Sequence, residues 1–155
     1  MVNINKGRKF YVCATAQPDD LTQTEYEALT WVEVKKVGNV GETGTAENVL
    51  NYDTMDTDVS QKQKGVANAG DPAIEVARVY DDAGQILMRT AAATRLNYAF
   101  KFEHSDSPDG ALTNTIIYSR GIVTGPTRPN GGVEDFDLEV YTLGLNQKEI
   151  VVDPE

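Results

Sequence analysis

Residues 133–145 read Val-Glu-Asp-Phe-Asp-Leu-Glu-Val-Tyr-Thr-Leu-Gly-Leu and alternate apolar with polar side chains after the turn Pro-Asn-Gly-Gly. Successive side chains of a β-strand point to opposite faces, so Phe136, Leu138 and Val140 are predicted to face a core. The opposite face then carries a row of carboxylates, made up of Asp135, Asp137 and Glu139. The stretch therefore predicts an antiparallel sheet with one face buried and the other exposed.

This row of carboxylates has two interpretations. Like charges along one strand face repel each other, so packing alone gives no reason for the pattern. One interpretation is the solvated outer face of a sheet, and the other is a surface that faces something negative without binding it. The strand by itself leaves both open.

The composition predicts one globular domain spanning residues 1–155. Hydrophobic residues make up 40% of the chain and charged residues 25%, which is enough apolar material for a substantial core. The net charge of −10 argues against direct binding to nucleic acid or an anionic membrane, because phosphates are bound by Lys and Arg. An acidic balance also keeps a protein soluble, so the charge alone assigns no function.

Cysteine usage and the N-terminus indicate the compartment. The single Cys13 excludes an internal disulfide and a cysteine-rich zinc site, and its apolar neighbours predict a buried thiol. The first residues lack the apolar segment of a signal peptide, and the chain contains no run of about 18 apolar residues. We expect the protein to be made and kept, at least at first, in a cytosol-like compartment.

Elsewhere the pattern is that of short strands with one amphipathic helix. A Thr22–Glu25 capping box predicts a short helical turn, and apolar spacing from Ala83 to Thr94 predicts the main helix, capped by Asp81 and Asp82. The predicted strands are 9–15, 31–34 with a possible extension to 40, 73–80, 97–104, 113–123 and 148–152. The fold class is therefore mainly β (α+β), a β-sandwich or partly open barrel with one flanking helix.

Residues 38–72 have a different texture, rich in Gly and polar residues and poor in large apolar ones. A structureless loop of that length is uncommon in a compact domain unless it has a role. We predict a long hairpin arm with its tip near Gln61–Gly65, ordered against a partner. The candidate inter-subunit residues are Tyr52, Met55, Asp56, Asp58, Gln61, Lys62 and Lys64.

The inventory of reactive side chains predicts no enzyme, cofactor or metal centre. The only histidine, His104, adjoins Ser105 and Asp106, but a catalytic triad is assembled from distant segments. Asp53, Asp56 and Asp58 lack the glycine and closing glutamate of an EF-hand, which leaves a weak surface cation site as the alternative. The Gly-x-x-Gly-x-x-Gly run at 38–44 has the wrong spacing for a dinucleotide turn.

Several segments together resemble the tail tube (major tail) proteins of long-tailed, non-contractile bacteriophages. The resemblance extends from the Phe10 strand to Val152 and depends on the order of segments. These segments are Gly41–Thr45, Asn51–Thr54, Gly65–Arg78, Arg120–Asn130 and Glu134–Asn146. No catalytic signature is part of it.

The resemblance implies a structural virion protein of the phage tail, assembled in the host cytoplasm. It implies hexameric rings that stack head-to-tail around a continuous β-barrel lumen, through which double-stranded DNA is ejected. The partners it implies are further copies of the chain, a tape-measure protein, and tail-tip initiator and terminator proteins, with no membrane. Asp135, Asp137 and Glu139 become candidates for the lumen wall, where carboxylates would repel phosphates.

Two other function classes stay open on the sequence. A carbohydrate- or receptor-binding β-sandwich of a tail tip is the alternative, although such modules usually expose aromatic residues in a cleft. A hydrolase is disfavoured by the missing catalytic set.

Overall fold

The structure is a computed structural model and describes residues 2–155. It contains ten strands and two helices. In chain order these are β1 (Lys9–Cys13), α1 (Gln23–Glu27), β2 (Trp31–Val34), β3 (Val37–Val40), β4 (Ala46–Tyr52), β5 (Gln61–Asn68), β6 (Ala73–Ala77), α2 (Ala83–Ala92), β7 (Tyr98–Glu103), β8 (Ile116–Thr127), β9 (Leu138–Leu145) and β10 (Ile150–Val152). The prediction of a mainly β fold with one major helix is confirmed.

Eight of the strands form one antiparallel sheet. Its order is β2-β1-β7-β8-β9-β6-β3, and β10 pairs with the first residues of β8. The two edge strands, β2 and β3, are consecutive in the chain and separated only by Lys35 and Lys36, so the ends of the sheet must lie close together. Lys36 turns this corner with a φ of 63°. The strand ladder is not closed between these two edges, so the sheet does not form a closed barrel.

The inside of the curled sheet and one face of α2 share the main core. Its buried side chains include Phe10, Val12, Val34, Ile74, Val76, Met88, Phe100, Tyr141 and Leu143. The fully buried Gln85 of α2 donates to the carbonyls of Lys35 and Ala77, at 2.9 Å each, and accepts from the Val79 N–H at 2.8 Å. One glutamine amide therefore joins the helix to the β2–β3 corner and to the end of β6.

Helix α2 buries a different face from the one that apolar spacing predicts. Gly84, Gln85, Met88 and Ala91 are buried, whereas Ile86 is 45% exposed. The reason is a close approach to β2, since a Cβ on Gly84 would lie 2.5 Å from the Val34 Cα. A residue that lowers helix propensity is thus the one that lets this helix pack on the sheet.

A smaller core covers the outer face of the sheet. Tyr26 of α1 stacks on Tyr118 of β8 with ring centroids 5.0 Å apart, and Cys13 and Ala99 are buried beside them. The predicted capping box is present, because Thr22 accepts from the Glu25 N–H at 3.4 Å and donates to its carboxylate. Nearby, the buried Arg120 donates to the carbonyls of Gln17 and Pro18 and so fixes the segment between β1 and α1.

Candidate assembly surfaces

Strand β9 is shorter than the sequence predicts, and its buried face is shifted by one residue. β9 begins at Leu138, and residues 133–137 belong to the loop before it. The side chains that enter the core are Glu139, Tyr141, Leu143 and Leu145. Phe136, predicted to be buried, is 81% exposed. The predicted assignment of faces is therefore wrong, since a slip of one residue exchanges the two faces of a strand.

The three carboxylates consequently do not form a row. Asp135 sits in a turn and accepts from the Gly132 N–H at 2.6 Å, and Asp137 is exposed just before β9. Glu139 is 0% exposed and lies inside the subunit. As a continuous acidic strip on one strand face, the predicted site is wrong.

Glu139 is instead the centre of an arginine cluster, defined here as Glu139 with Arg78, Arg89 and Arg128. Its Oε1 lies 3.3 Å from the Arg78 Nε and 3.2 Å from the Arg89 Nη2. Its Oε2 lies 3.5 Å from the Arg128 Nη2 and accepts from the Tyr141 hydroxyl at 3.3 Å. One buried carboxylate thus joins β6, α2, the β8–β9 loop and β9.

Both the Glu139 carboxylate and the surrounding solvent compensate the positive charges of the arginine cluster. The side chains of Arg78, Arg89 and Arg128 are 41%, 24% and 51% exposed, so their excess positive charge is partly hydrated. Arg89 also donates to the Val79 carbonyl at 3.1 Å. Burial, and then the neighbouring Glu139 carboxylate, raises the pKa of Tyr141 to about 12, so this phenol is neutral at physiological pH.

Strands β4 and β5 form a separate two-stranded hairpin. Tyr52 pairs with Gln61 and Leu50 with Gln63, so these four side chains share one face. The other face carries Val49 and Asn51 opposite Lys64 and Lys62. Lys64 also lies 3.6 Å from Glu47 across the ladder. The predicted tip was wrong, because Gln61–Gly65 lie within β5 and the turn is formed by residues 53–60.

The candidate arm residues lie along this hairpin. Met55, Asp56 and Asp58 are in the turn, while Tyr52, Gln61, Lys62 and Lys64 are on its strands. Six large apolar side chains are more than half exposed: Val49, Leu50, Tyr52, Met55, Val59 and Val66. A lone two-stranded hairpin is marginally stable in water, and a concentration of exposed apolar groups marks an interaction site. The hairpin has the properties of a segment that packs against another molecule.

His104 and its neighbour Asp106, which were set aside above as catalytic residues, both have structural contacts. His104 packs edge-on against the Phe102 ring, with centroids 5.1 Å apart, and burial followed by the Arg8 charge lowers its pKa. Asp106 accepts from the Thr115 N–H at 2.8 Å and from its hydroxyl at 2.6 Å. Within residues 2–155, no three His, Cys, Asp or Glu side chains are grouped to hold a metal ion. None of the helices described in that range has the length and apolarity to cross a membrane.

Sequence reasoning missed the arginine cluster and the bridging Gln85. Arg89 and Gln85 lie outside the apolar positions of α2, where charged and amide side chains are usually solvated. A signal for the inverted β9 was nevertheless present. Tyr141, Leu143 and Leu145 are larger and more apolar than Thr142 and Gly144, which alternate with them.

Solved structures share this fold, whereas no protein-family model and no curated protein matches the chain. A chain of an extracellular contractile injection system, from the cryo-EM structure of the PVC sheath/tube terminator in its extended state, aligns with a TM-score of 0.67. The alignment covers 98% of each chain at 9% identity. A chain of the 6-fold symmetrised anti-feeding prophage (AFP) baseplate aligns with a TM-score of 0.62 and 6% identity, over 94% of this chain and 91% of that one. At these identities the similarity shows the fold alone.

Proposed function

We propose that this chain is a structural subunit of a phage tail, forming hexameric rings that stack into the tube through which double-stranded DNA is ejected. The observation that carries the proposal is the end-to-end fold match, over 98% of both chains, to a protein from a sheath/tube terminator structure. The second match comes from a baseplate structure that is 6-fold symmetrised. Assignment to a long-tailed, non-contractile phage rests on the sequence resemblance, since both neighbours come from other particles.

The β4–β5 hairpin supports an assembling subunit. It projects exposed apolar side chains that a permanently monomeric protein would have little reason to keep. Buried against the next subunit, the same side chains would stabilise a ring or a stack through the hydrophobic effect. We therefore assign inter-subunit contact to the hairpin, which is the role that its sequence predicts.

The open sheet supports the same conclusion. β2 and β3 each have one neighbour in the sheet, so each presents backbone donors and acceptors on its free side. An exposed edge invites pairing with another chain, and a ring of subunits satisfies each edge with a neighbour's strand. Contacts of this head-to-tail type produce rings or filaments instead of closed dimers.

The charge of the chain fits passage of DNA without binding. A wall with the sign of the phosphates repels them over the distance that physiological salt leaves unscreened, which is about 8 Å. Asp135 and Asp137 remain candidates for such a wall, whereas the burial of Glu139 removes it from contact with the lumen. In this role the chain needs neither a cofactor nor a catalytic residue.

The proposed partners follow from the same role. They are further copies of this chain, a tape-measure protein in the lumen, and initiator and terminator proteins at the two ends of the tube. The proposed location is the virion tail, with assembly in the host cytoplasm.

A deletion of the hairpin tests the proposal. Ala46 and Asn68 are paired across the first rung of the hairpin, so residues 47–67 can be replaced by an Asn-Gly turn without moving the main sheet. We expect a folded monomer with an unchanged melting temperature that no longer forms rings or tubes in the electron microscope. Tubes of normal length from this variant would refute the role of the hairpin.

Two matched variants identify the docking face of the hairpin. Leu50→Ser with Tyr52→Ser alters one face, and Val49→Ser with Lys62→Ser alters the other. All four side chains are exposed, so neither pair should change the stability of the monomer by more than about 0.5 kcal/mol per substitution. Loss of assembly in only one pair assigns the interface to that face.

A tube terminator is the second candidate function. It is favoured by the 0.67 TM-score to a chain from a terminator structure. As a terminator the chain is expected to stop at a single ring, whereas as a tube protein it is expected to stack ring upon ring. Electron microscopy of purified protein distinguishes single rings from stacked tubes.

A further inference from the structure

The loop before β9 projects an apolar knob, defined here as residues 133–137. Val133 and Phe136 are 105% and 81% exposed. The loop is nevertheless ordered by its own hydrogen bonds, since the Asp135 N–H donates to the Gly132 carbonyl at 3.1 Å and the Asp135 carboxylate accepts from the Gly132 N–H. A preformed turn that exposes a phenyl ring loses little conformational entropy when it binds.

Carboxylates surround the exposed phenyl ring of the knob. Glu134, Asp135 and Asp137 lie within three residues of Phe136. Over residues 2–155, the ion pairs closer than 4.0 Å include none of the three. The knob therefore combines an apolar centre with negative charges that lack a cationic partner in their own subunit.

A groove lies at the open seam of the sheet, between the start of β1 and β3. Its lining is mixed, with apolar and polar side chains: Phe10, Val37, Val40 and Phe102 are apolar, and Asn5, Arg8, Lys9 and Asn39 are polar or charged. Its volume is ≈ 130 Å³. A cavity of about 150 Å³ accommodates a benzene molecule in another protein, so this groove is of the size that one phenyl ring requires.

The rim of the seam groove is basic in a chain that is acidic as a whole. Four cations line it and the adjoining depression: Arg8, Lys9, Lys35 and Lys36. Arg8 stacks over the Phe102 ring at 5.6 Å, and none of the four has a carboxylate within 4.0 Å in the described range 2–155. Glu33 is the acidic residue that lines the adjoining depression.

The knob and the seam groove are separate surfaces that flank the end of β6, because the Ala77 N–H donates to the Lys36 carbonyl and the Arg78 N–H donates to the Asp137 carbonyl, each at 2.9 Å. The knob follows β8 and precedes β9, which are the fourth and fifth strands along the sheet. The seam lies between the first strand and the last, β2 and β3. Because the knob and the groove are different patches of the subunit, a contact between them is heterologous and repeats head-to-tail, as a ring or a filament requires.

We propose that the knob of one copy inserts Phe136 into the seam groove of the next copy, with its carboxylates against the basic rim. This inference rests on the proposed self-assembly and adds to it a contact separate from the hairpin. A buried aromatic anchor in a pocket is the usual centre of an interface, so Phe136→Ala should weaken self-association by about 30-fold. The stability of the monomer should not change, because the ring is exposed there.

Site-directed cross-linking tests the contact. Glu134→Cys is made in one preparation and Lys9→Cys in another, and the two are mixed under mild oxidation. The native Cys13 is 3% exposed and should stay inert. We expect a disulfide-linked heterodimer from the mixture but none when Lys148→Cys, an exposed lysine outside the seam groove, replaces Lys9→Cys. The same samples are examined for rings and tubes by electron microscopy, alone and after addition of a tail-tip complex.

The outcomes separate this inference from the proposed function. Cross-linked heterodimers together with rings or tubes support both. Rings or tubes without the cross-link overturn the knob contact and leave the proposed function standing. The cross-link without rings or tubes supports the contact and overturns the tube function, and the absence of both overturns both.

A charge exchange provides the second test. Glu134→Lys with Asp137→Lys should weaken assembly by more than tenfold, as should Lys9→Glu with Lys35→Glu. A chain that carries both pairs restores opposite charges across each contact and should regain most of the affinity. Equal loss in the combined variant would contradict an electrostatic match between knob and groove.

Discussion

Replacement of Glu139 by Gln tests the assignment of this residue to the interior. The substitution keeps the volume of the side chain and removes the charge that three arginines share. Breaking a buried ion pair by removing one partner typically costs about 3–5 kcal/mol. The arginines are 24–51% exposed and can recover water, so we expect the lower end, about 3 kcal/mol.

Thermal unfolding followed by circular dichroism measures this loss. In a domain of this size about 1 kcal/mol corresponds to 2–4 °C, so the melting temperature should fall by about 6–12 °C. Asp137→Asn is the matched control, because it removes an exposed carboxylate two residues away that has no ion pair in the described structure. Its effect should stay within about 0.5 kcal/mol. Equal melting temperatures for the two variants would refute the burial of Glu139 and restore the acidic row.

The remaining predictions concern α2 and the buried tyrosines. Gly84→Ala should destabilise the fold by about 1–3 kcal/mol in urea denaturation, because the new methyl group meets the β2 backbone at the Glu33 carbonyl and Val34 Cα. Stabilisation, as helix propensity alone would predict, would contradict this packing. Burial raises the pKa of Tyr26 to about 12 from 10.0, so its neutral form contributes stability that is complete below pH 10 and is lost between pH 10 and 12. Tyr26→Phe should cost about 1 kcal/mol at neutral pH through the lost bond to Gln147 and should flatten the alkaline decline; an unchanged alkaline slope would count against the burial of this phenol.

The sequence predicted the elements better than it predicted their faces. Strand β7 shows why some assignments succeed, since Tyr98, Phe100 and Phe102 are aromatic and alternate with small or charged residues. Tyr98 and Phe100 are buried accordingly. For β9 the alternation of Phe136, Leu138 and Val140 predicted the wrong buried face, because Phe136 lies in the loop before the strand and the buried Glu139 is paired with arginines from distant segments. Long-range charge pairing is not visible in local periodicity.

The order of the strands in the sheet could not be predicted from local sequence patterns either. Strands β2 and β3 are adjacent in sequence, yet they occupy opposite ends of the strand order. Periodicity identifies each strand but not its neighbours, so the sandwich and the partly open barrel could not be separated beforehand. The position of the hairpin was predictable because its apolar residues were too few for a core of its own.

Of the candidate surfaces, one was predicted from the sequence and two were not. The hairpin was predicted from composition, since a long polar, glycine-rich segment within a compact domain usually has a functional role such as contact with a partner. The knob and the seam groove were not found. Phe136 looked like a core residue by alternation, and the groove exists only where β1 and β3 approach across the seam.

Negative-stain electron microscopy of the purified protein, with light scattering on the same sample, tests the central proposal most directly. The proposed function predicts rings with six-fold symmetry or hollow tubes, formed alone or after addition of a tail-tip complex. A protein that stays monomeric in both conditions would contradict a role as a tail tube subunit.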